Sequence, residues 1–384
     1  MPSLIRRAGF LAALAAGAAV AGAAGEPAEA AVTVTHDAAH PGFNYYGRWH
    51  AGRTAVTVNS GALVEFAYTG DSCVLAFDVA GMGHFPGIFV QVDNGPVERT
   101  LLSAGVSTVR VKPPFNTRPQ GTPPHAVPSS RHHLVRFWVA THSLYRTPAL
   151  GTQWTTLEGA CRFAGADLAG GDLVPLPYQE NQIEFLGDSH TQGLRLLYTG
   201  TEDDIGNQRP YAAWPQLVAD LLGLKPVVTG FGGQGLTTAG TSGAPPAIQA
   251  FPFVHAGAPW QPVVRPRVVV IYQGANGSAP PGEFGTLYAD YLRVVRGAYP
   301  EAVIFAVCPH HRPHYAPAIR DAVAAQRDRR MLFLDYSTGV ISRDEAADDP
   351  QAHLNPGGAV RMATRLAADI AARLQPGAPD VRLR

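Results

Sequence analysis

The stretch Ile183-Glu184-Phe185-Leu186-Gly187-Asp188-Ser189-His190-Thr191-Gln192-Gly193 decides how the second half of this chain folds. An apolar run of strand length meets a glycine, where the backbone can turn sharply. Ser189 follows at the point where a helix should begin. A hydroxyl there lies beside unpaired backbone N–H groups and in positive potential, which favours developing negative charge. Most serines at strand–helix junctions are simply N-caps. The stretch alone leaves both readings open.

Outward from it, short apolar runs recur at 227–228, 268–272, 303–307 and 332–334. Runs of this kind suit strands buried on both faces of a parallel sheet. Helical spacing lies between and after them. Phe284, Leu287, Tyr288, Tyr291, Leu292 and Val295 fall on one face, and 356–374 carries Met362, Leu366, Ile370 and Leu374. Alternating strand and helix predicts a doubly wound α/β domain over 179–384, with ligands at the carboxyl ends of its strands.

The first half reads differently. Val64, Phe66 and Tyr68, then Cys73, Leu75, Phe77 and Val79, then Ile88, Val90 and Val92 alternate with other residues, as do His133, Val135, Phe137 and Val139. Asp93-Asn94-Gly95 supplies a turn tolerant of positive φ. Short strands with turn signals and no helical period predict a β-sandwich or jelly roll over 31–174, joined to the second domain by a linker at 175–178. The Pro-rich piece 113–128 reads as a surface loop.

The first thirty residues form a third kind of sequence. Arg6 and Arg7 precede an Ala/Gly/Leu/Val run at 9–24, with small-residue exits at Ala21-Gly22-Ala23 and Ala28-Glu29-Ala30. This is the pattern of a secretory signal peptide over 1–30, so the mature chain is expected outside the cytoplasm with no membrane anchor. The 384 residues are 46% hydrophobic and 16% charged with a formal net charge of +0, which gives no electrostatic reason to expect nucleic acid or an anionic membrane as partner. Cys73, Cys161 and Cys308 are an odd set. A Cys73–Cys161 bridge and three buried thiols both fit it.

Two further strand ends converge with Ser189. Thr229-Gly230-Phe231-Gly232-Gly233-Gln234-Gly235 follows the second run, and Gln273-Gly274-Ala275-Asn276 follows the third. Glycine lets a backbone N–H approach a substrate, and an Asn amide can donate to an oxyanion. His353, in Ala352-His353-Leu354-Asn355-Pro356, precedes the last helix, where it can reach Ser189 as a general base. In this order, Gly187-Asp188-Ser189, a glycine after the second strand, Gly274-x-Asn276 and His353 resemble the four blocks of the SGNH-hydrolase (GDSL esterase) superfamily over roughly 180–375.

That resemblance implies Ser189 as nucleophile, His353 as base and no cofactor. It implies an oxyanion hole of the Ser189 N–H, a glycine N–H and Asn276. Spacing points to Gly235, with Gly233 the alternative. Tyr46-Gly47-Arg48, Val92-Asp93-x-Gly95, Leu157-Glu158-Gly159 and Val295-Arg296-x-x-Tyr299-Pro300 add a resemblance to carbohydrate esterase family 2. Those are two-domain acetyl esterases, so acetylated carbohydrate is the implied substrate. A lipase or thioesterase of the same superfamily and a non-catalytic glycan-binding protein are the alternatives.

Other candidates carry less. His310 and His314 stand four apart, but Pro313 disfavours the helix that would make them a metal pair, so a polar rim is expected and no metal. Trp260 and Tyr272 suit either sugar stacking or the core. The chain departs from the superfamily three residues before His353, where the usual triad Asp is Pro350. Asp349 and Asp348 are the possible substitutes. Pro350 and the longer spacing favour instead a main-chain carbonyl, or a dyad, as what orients His353. Asp349→Ala should therefore lower kcat on an acetyl ester by roughly tenfold or less, whereas loss of a true triad carboxylate costs on the order of 10³–10⁴.

Overall fold

A computed structural model describes residues 32–112, 132–141, 152–200, 205–346 and 352–374. The leader 1–30, the Pro-rich stretch 113–128, and Asp348, Asp349 and Pro350 lie outside the described residues. Val32–Arg384 is one compact unit.

Its first part runs β1 (Thr33–Asp37), β2 (Asn44–Tyr46), β3 (Ala55–Thr57), β4 (Leu63–Tyr68), β5 (Ser72–Phe77), β6 (Gly87–Val92), β7 (Glu98–Leu101), β8 (Thr108–Val111) and β9 (His133–Ala140). A one-turn helix α1 (Gln153–Thr156) precedes β10 (Cys161–Ala169) and β11 (Leu173–Val174). These strands make two antiparallel sheets, one ordered β1-β10-β5-β8 with β3 on β10, the other β11-β4-β9-β6-β7 with β2 on β4. The alternation read from sequence is the packing pattern: Cys73, Leu75 and Phe77 of one sheet meet Val64, Phe66, Val135 and Phe137 of the other in one core. Asp93 and Asn94 both hold positive φ in the β6–β7 turn. Cys73 and Cys161 do not bridge; register places Cys73 opposite Leu168 and Cys161 opposite Thr57, and all three cysteines are free and buried.

The second part opens with β12 (Gln182–Asp188) and the single turn α2 (Ser189–Gln192). It continues with α3 (Trp214–Leu222), β13 (Lys225–Phe231), α4 (Ala247–Ala250), a small hairpin β14 (Phe253–His255) and β15 (Ala258–Pro259), and β16 (Val268–Ile271). Then come α5 (Pro281–Ala298), β17 (Val303–Cys308), α6 (Ala316–Ala325), β18 (Met331–Asp335) and α7 (Pro356–Leu374). The parallel sheet is ordered β13-β12-β16-β17-β18, so the chain reverses direction across the sheet between β12 and β16. In doubly wound sheets that switch point opens a crevice at the carboxyl ends of the strands. Helices α3 and α7 cover one face with Trp214, Val218, Met362 and Leu366; α5 and α6 cover the other with Tyr288, Leu292 and Ile319.

The two parts share an interior rather than hanging on a free linker. Segment 175–181 is pinned back: Asn44 Nδ2 donates to the Leu176 carbonyl at 3.0 Å, and the Gln179 N–H donates to Tyr46 Oη at 2.9 Å. Trp138 Nε1 donates to Gln216 Oε1 at 2.8 Å, and Lys225 pairs with Glu65 at 2.9 Å. Deepest is Arg48, after β2, against Glu184 in the centre of β12. Both side chains are 0% exposed. The guanidinium donates to Glu184 Oε1 through Nε at 3.0 Å and Nη2 at 2.7 Å, and through Nη1 to the Phe251 and Phe253 carbonyls. Burial works against the Arg48 charge, but Glu184 outweighs it and raises its pKa.

Removing one partner of such a pair strands a charge, at about 3–5 kcal/mol. Arg48→Met and Glu184→Gln should each lower the free energy of unfolding by that order. The double change Arg48→Met/Glu184→Leu should cost less than the sum of the singles, which equilibrium unfolding reads.

Candidate active site

The end of β12 is built so that Ser189 need not act as a cap. Gly187 sits where a Cβ would run into Thr191 and the Tyr272 carbonyl, so only glycine lets β12 turn this closely into α2. Gln273 Nε2 donates to the Gly187 carbonyl at 2.8 Å and holds the turn. Asp188 takes the N-cap position, its Oδ1 accepting from the His190 N–H at 3.0 Å. Ser189 is therefore the first helical residue, and its hydroxyl is released from capping. Because α2 is a single turn, local N–H groups and not a long helix dipole supply the positive potential expected there.

That hydroxyl lies 2.9 Å from His353 Nε2. Ser189 is 6% exposed and His353 1%, so the pair is buried. Ala352, with φ +60°, turns the chain immediately before His353. With Nδ1 protonated, Nε2 accepts from Ser189 Oγ–H, the geometry of a nucleophile and its base.

Asn276, after β16, reaches the same edge. Its Nδ2 donates to Asp188 Oδ2 at 3.2 Å and to the Gln234 carbonyl at 3.1 Å. Gly235 packs so closely on the Asn276 backbone that a Cβ would collide with its carbonyl. Its N–H, however, is spent on the Thr238 carbonyl at 3.0 Å. Gly235, preferred from spacing, is thus not free to donate to a substrate. Gly233, in the left-handed region at φ +69°, carries no such bond. Spacing alone did not carry the reversal of the chain from Thr238 back onto Gly235.

Three more histidines surround the pair. His190 is sandwiched between His353 (ring centroids 4.4 Å, 21°) and His311 (4.6 Å, 27°), with His310 edge-on at 5.6 Å. His310 Nε2 donates to the Ala352 carbonyl at 3.0 Å, which leaves Nδ1 to accept from Tyr272 Oη at 2.8 Å. Burial leads in lowering the pKa of all three: His190 falls well below the ordinary histidine range, His310 to about 4 and His311 to about 3. They are neutral imidazoles at neutral pH. His314 is exposed on the far side of Pro313 and does not join them. Tyr272 is 1% exposed and serves the core and His310; Trp260 donates to Tyr299 Oη and lies over the Arg48 guanidinium, so neither offers a free face beside Ser189.

Residues 185–360 match the GDSL-like lipase/acylhydrolase family. This segment is a GDSL-like hydrolase domain. The chain is accordingly a carboxylic ester hydrolase. No curated protein matches its sequence. Among solved structures, a family two carbohydrate esterase from Cellvibrio japonicus is 18% identical with a TM-score of 0.72, over 89% of this chain and 98% of that one. The Clostridium thermocellum family two enzyme in complex with cellohexaose is 23% identical with a TM-score of 0.67, over 87% and 99%. An acetyl xylan esterase from Butyrivibrio proteoclasticus is 14% identical with a TM-score of 0.69, over 89% and 99%. At these identities the likeness is one of fold, and it takes in the β-rich part as well as the GDSL domain.

Sequence alone assigns the stretch 309–314, His311 included, to a polar rim of the site and gives His190 no role. The signal is present: His310-His311 follows β17 on the same sheet edge as Ser189-His190.

Burial raises the Asp188 pKa from 3.8 to about 7, against the opposing pull of the His190 N–H, Arg312 and Asn276. A carboxyl whose folded pKa is raised binds its proton more tightly folded than unfolded. Its contribution is full below the unfolded value and is lost as pH rises toward 7. The stability of wild type minus that of Asp188→Asn should fall between about pH 4 and pH 7, by up to about 1.4 kcal/mol per pH unit. Paired unfolding curves across that range check it.

Proposed function

We propose that this chain is an exported esterase that removes acetyl or similarly short acyl groups from carbohydrate through an acyl-enzyme on Ser189. The observation that carries the reading is the buried Ser189 Oγ–His353 Nε2 hydrogen bond at the switch point of the sheet. The fold likeness to family two carbohydrate esterases over both parts of the chain supports the substrate class. We extend the reading to the β-rich part as a jelly roll ending at the 175–178 boundary, and to the leader 1–30 as a signal removed on export.

In this mechanism Ser189 Oγ attacks the ester carbonyl carbon as its proton passes to His353 Nε2. The carbonyl oxygen becomes an oxyanion, received by the Ser189 N–H, the Gly233 N–H and Asn276 Nδ2. Both present bonds of Asn276 Nδ2 lie at the upper end of the N–H···O range, so one of them can be exchanged for an oxyanion, a stronger charged acceptor. His353 then returns its proton to the leaving sugar oxygen and the C–O bond breaks. Water, deprotonated by His353, attacks the acyl-Ser189 carbonyl; the acid is released and Ser189 regains its proton. The same contact weighs against a non-catalytic glycan binder, which has no use for a buried Ser–His pair.

Ser189→Ala should keep the fold and lower kcat by about 10⁴ or more, and Asn276→Ala should lower it by about 10²–10³. Rates on p-nitrophenyl acetate should exceed those on the octanoate, and the exported chain should begin between Ala24 and Val32 by mass. Near wild-type turnover by Ser189→Ala would refute the mechanism. Faster octanoate cleavage would move the chain to the lipases.

A further inference from the structure

The cluster His190, His310 and His311 is unused by that mechanism. One ring nitrogen from each lies within 4.8 Å of the others. His190 is 5% exposed, and the Nδ1 atoms of His190 and His311 are buried without a hydrogen-bond partner. A buried, unpaired imidazole nitrogen is costly to leave unsatisfied. Two on facing rings beside a third histidine point to a shared ligand. We infer that His190, His310 and His311 form a binding site for a divalent transition-metal ion, Zn²⁺ in the first instance, next to the Ser189–His353 pair.

The donor set fits that ion. Imidazole nitrogen suits Zn²⁺, and three protein ligands leave a fourth position for water. A tetrahedral Zn²⁺ with bonds of about 2.0–2.1 Å needs nitrogens about 3.3 Å apart, so the cluster must draw in. His311, half-buried in the loop after β17 and stacked on His190, is the ring that must move in. His310 must exchange one of its two hydrogen bonds, to Tyr272 or to Ala352, for the metal. Both changes reach His353. His190 leaves a stack held at 4.4 Å, and the Ala352 carbonyl belongs to the neighbouring residue. Occupancy therefore disturbs the ring that must accept the Ser189 proton, and the ion acts as an inhibitor. The site itself is independent of the esterase reading; only the inhibition rests on it.

The test is calorimetric titration of the full mature chain with Zn²⁺ in a non-chelating buffer, beside inhibition of p-nitrophenyl acetate hydrolysis. One ion per chain should bind with micromolar or tighter Kd, and EDTA should restore activity. His311→Phe keeps the ring stack but removes a ligand; it should raise both Kd and the half-inhibitory concentration at least tenfold, with metal-free activity unchanged. If that variant fails to fold, His310→Gln should show the same weakening. Co²⁺ in place of Zn²⁺ should give visible bands of tetrahedral strength in wild type and lose them in the variants. No stoichiometric binding, or equal binding by wild type and both variants, overturns the site. Binding without inhibition retains the site and overturns its effect on catalysis.

Discussion

Arg48 and Glu184 are the constraint on which the rest of the molecule depends. A charge on an interior strand of a parallel sheet is among the worst places to put one, since both faces and both edges of β12 are covered. Glu184 is tolerated chiefly because the β-rich part inserts a guanidinium that pairs with it, and that guanidinium is further satisfied by the carbonyls of Phe251 and Phe253. The β-rich part is thus a structural partner of β12. Four residues along the same strand stands Asp188, and then Ser189.

The arrangement links fold to chemistry through strand ends. The catalytic groups come from the carboxyl ends of three parallel strands and from the loop before the last helix: Ser189 after β12, Gly233 after β13, Asn276 after β16 and His353 before α7. The glycines at 187 and 235 let backbones approach where a Cβ would collide. Asp188 organises the centre by capping α2 and holding Asn276, which frees Ser189 for His353. Its nearly complete burial is what makes that carboxyl reluctant to ionise.

Much of this was legible in the sequence for identifiable reasons. Five apolar runs became the five parallel strands, and the spacings at 284–295 and 356–374 became α5 and α7, because a buried face imposes its period on the residues that fill it. Ser189 and His353 were legible because their positions relative to strand and helix ends are local. What was not legible is what depends on side chains meeting across the fold. Nothing near Gly235 says that Thr238 folds back to take its N–H. Nothing near Arg48 says that its counter-ion lies 136 residues away. The histidine stack assembles from three segments, so no window of sequence contains it.

The cysteines carry a consequence for how such a molecule comes into being. Cys73 and Cys161 sit within the core between the two sheets and Cys308 at the end of β17, all as free thiols. Burial pushes Cys73 and Cys308 up to about 12 and raises Cys161 as well, so thiolate is scarce and both oxidation and alkylation are slow. The described fold is closed by packing and by one buried ion pair, with no covalent clasp among these three sulfurs. Its completion is therefore indifferent to the redox poise of its surroundings, and folding need not wait for an oxidant.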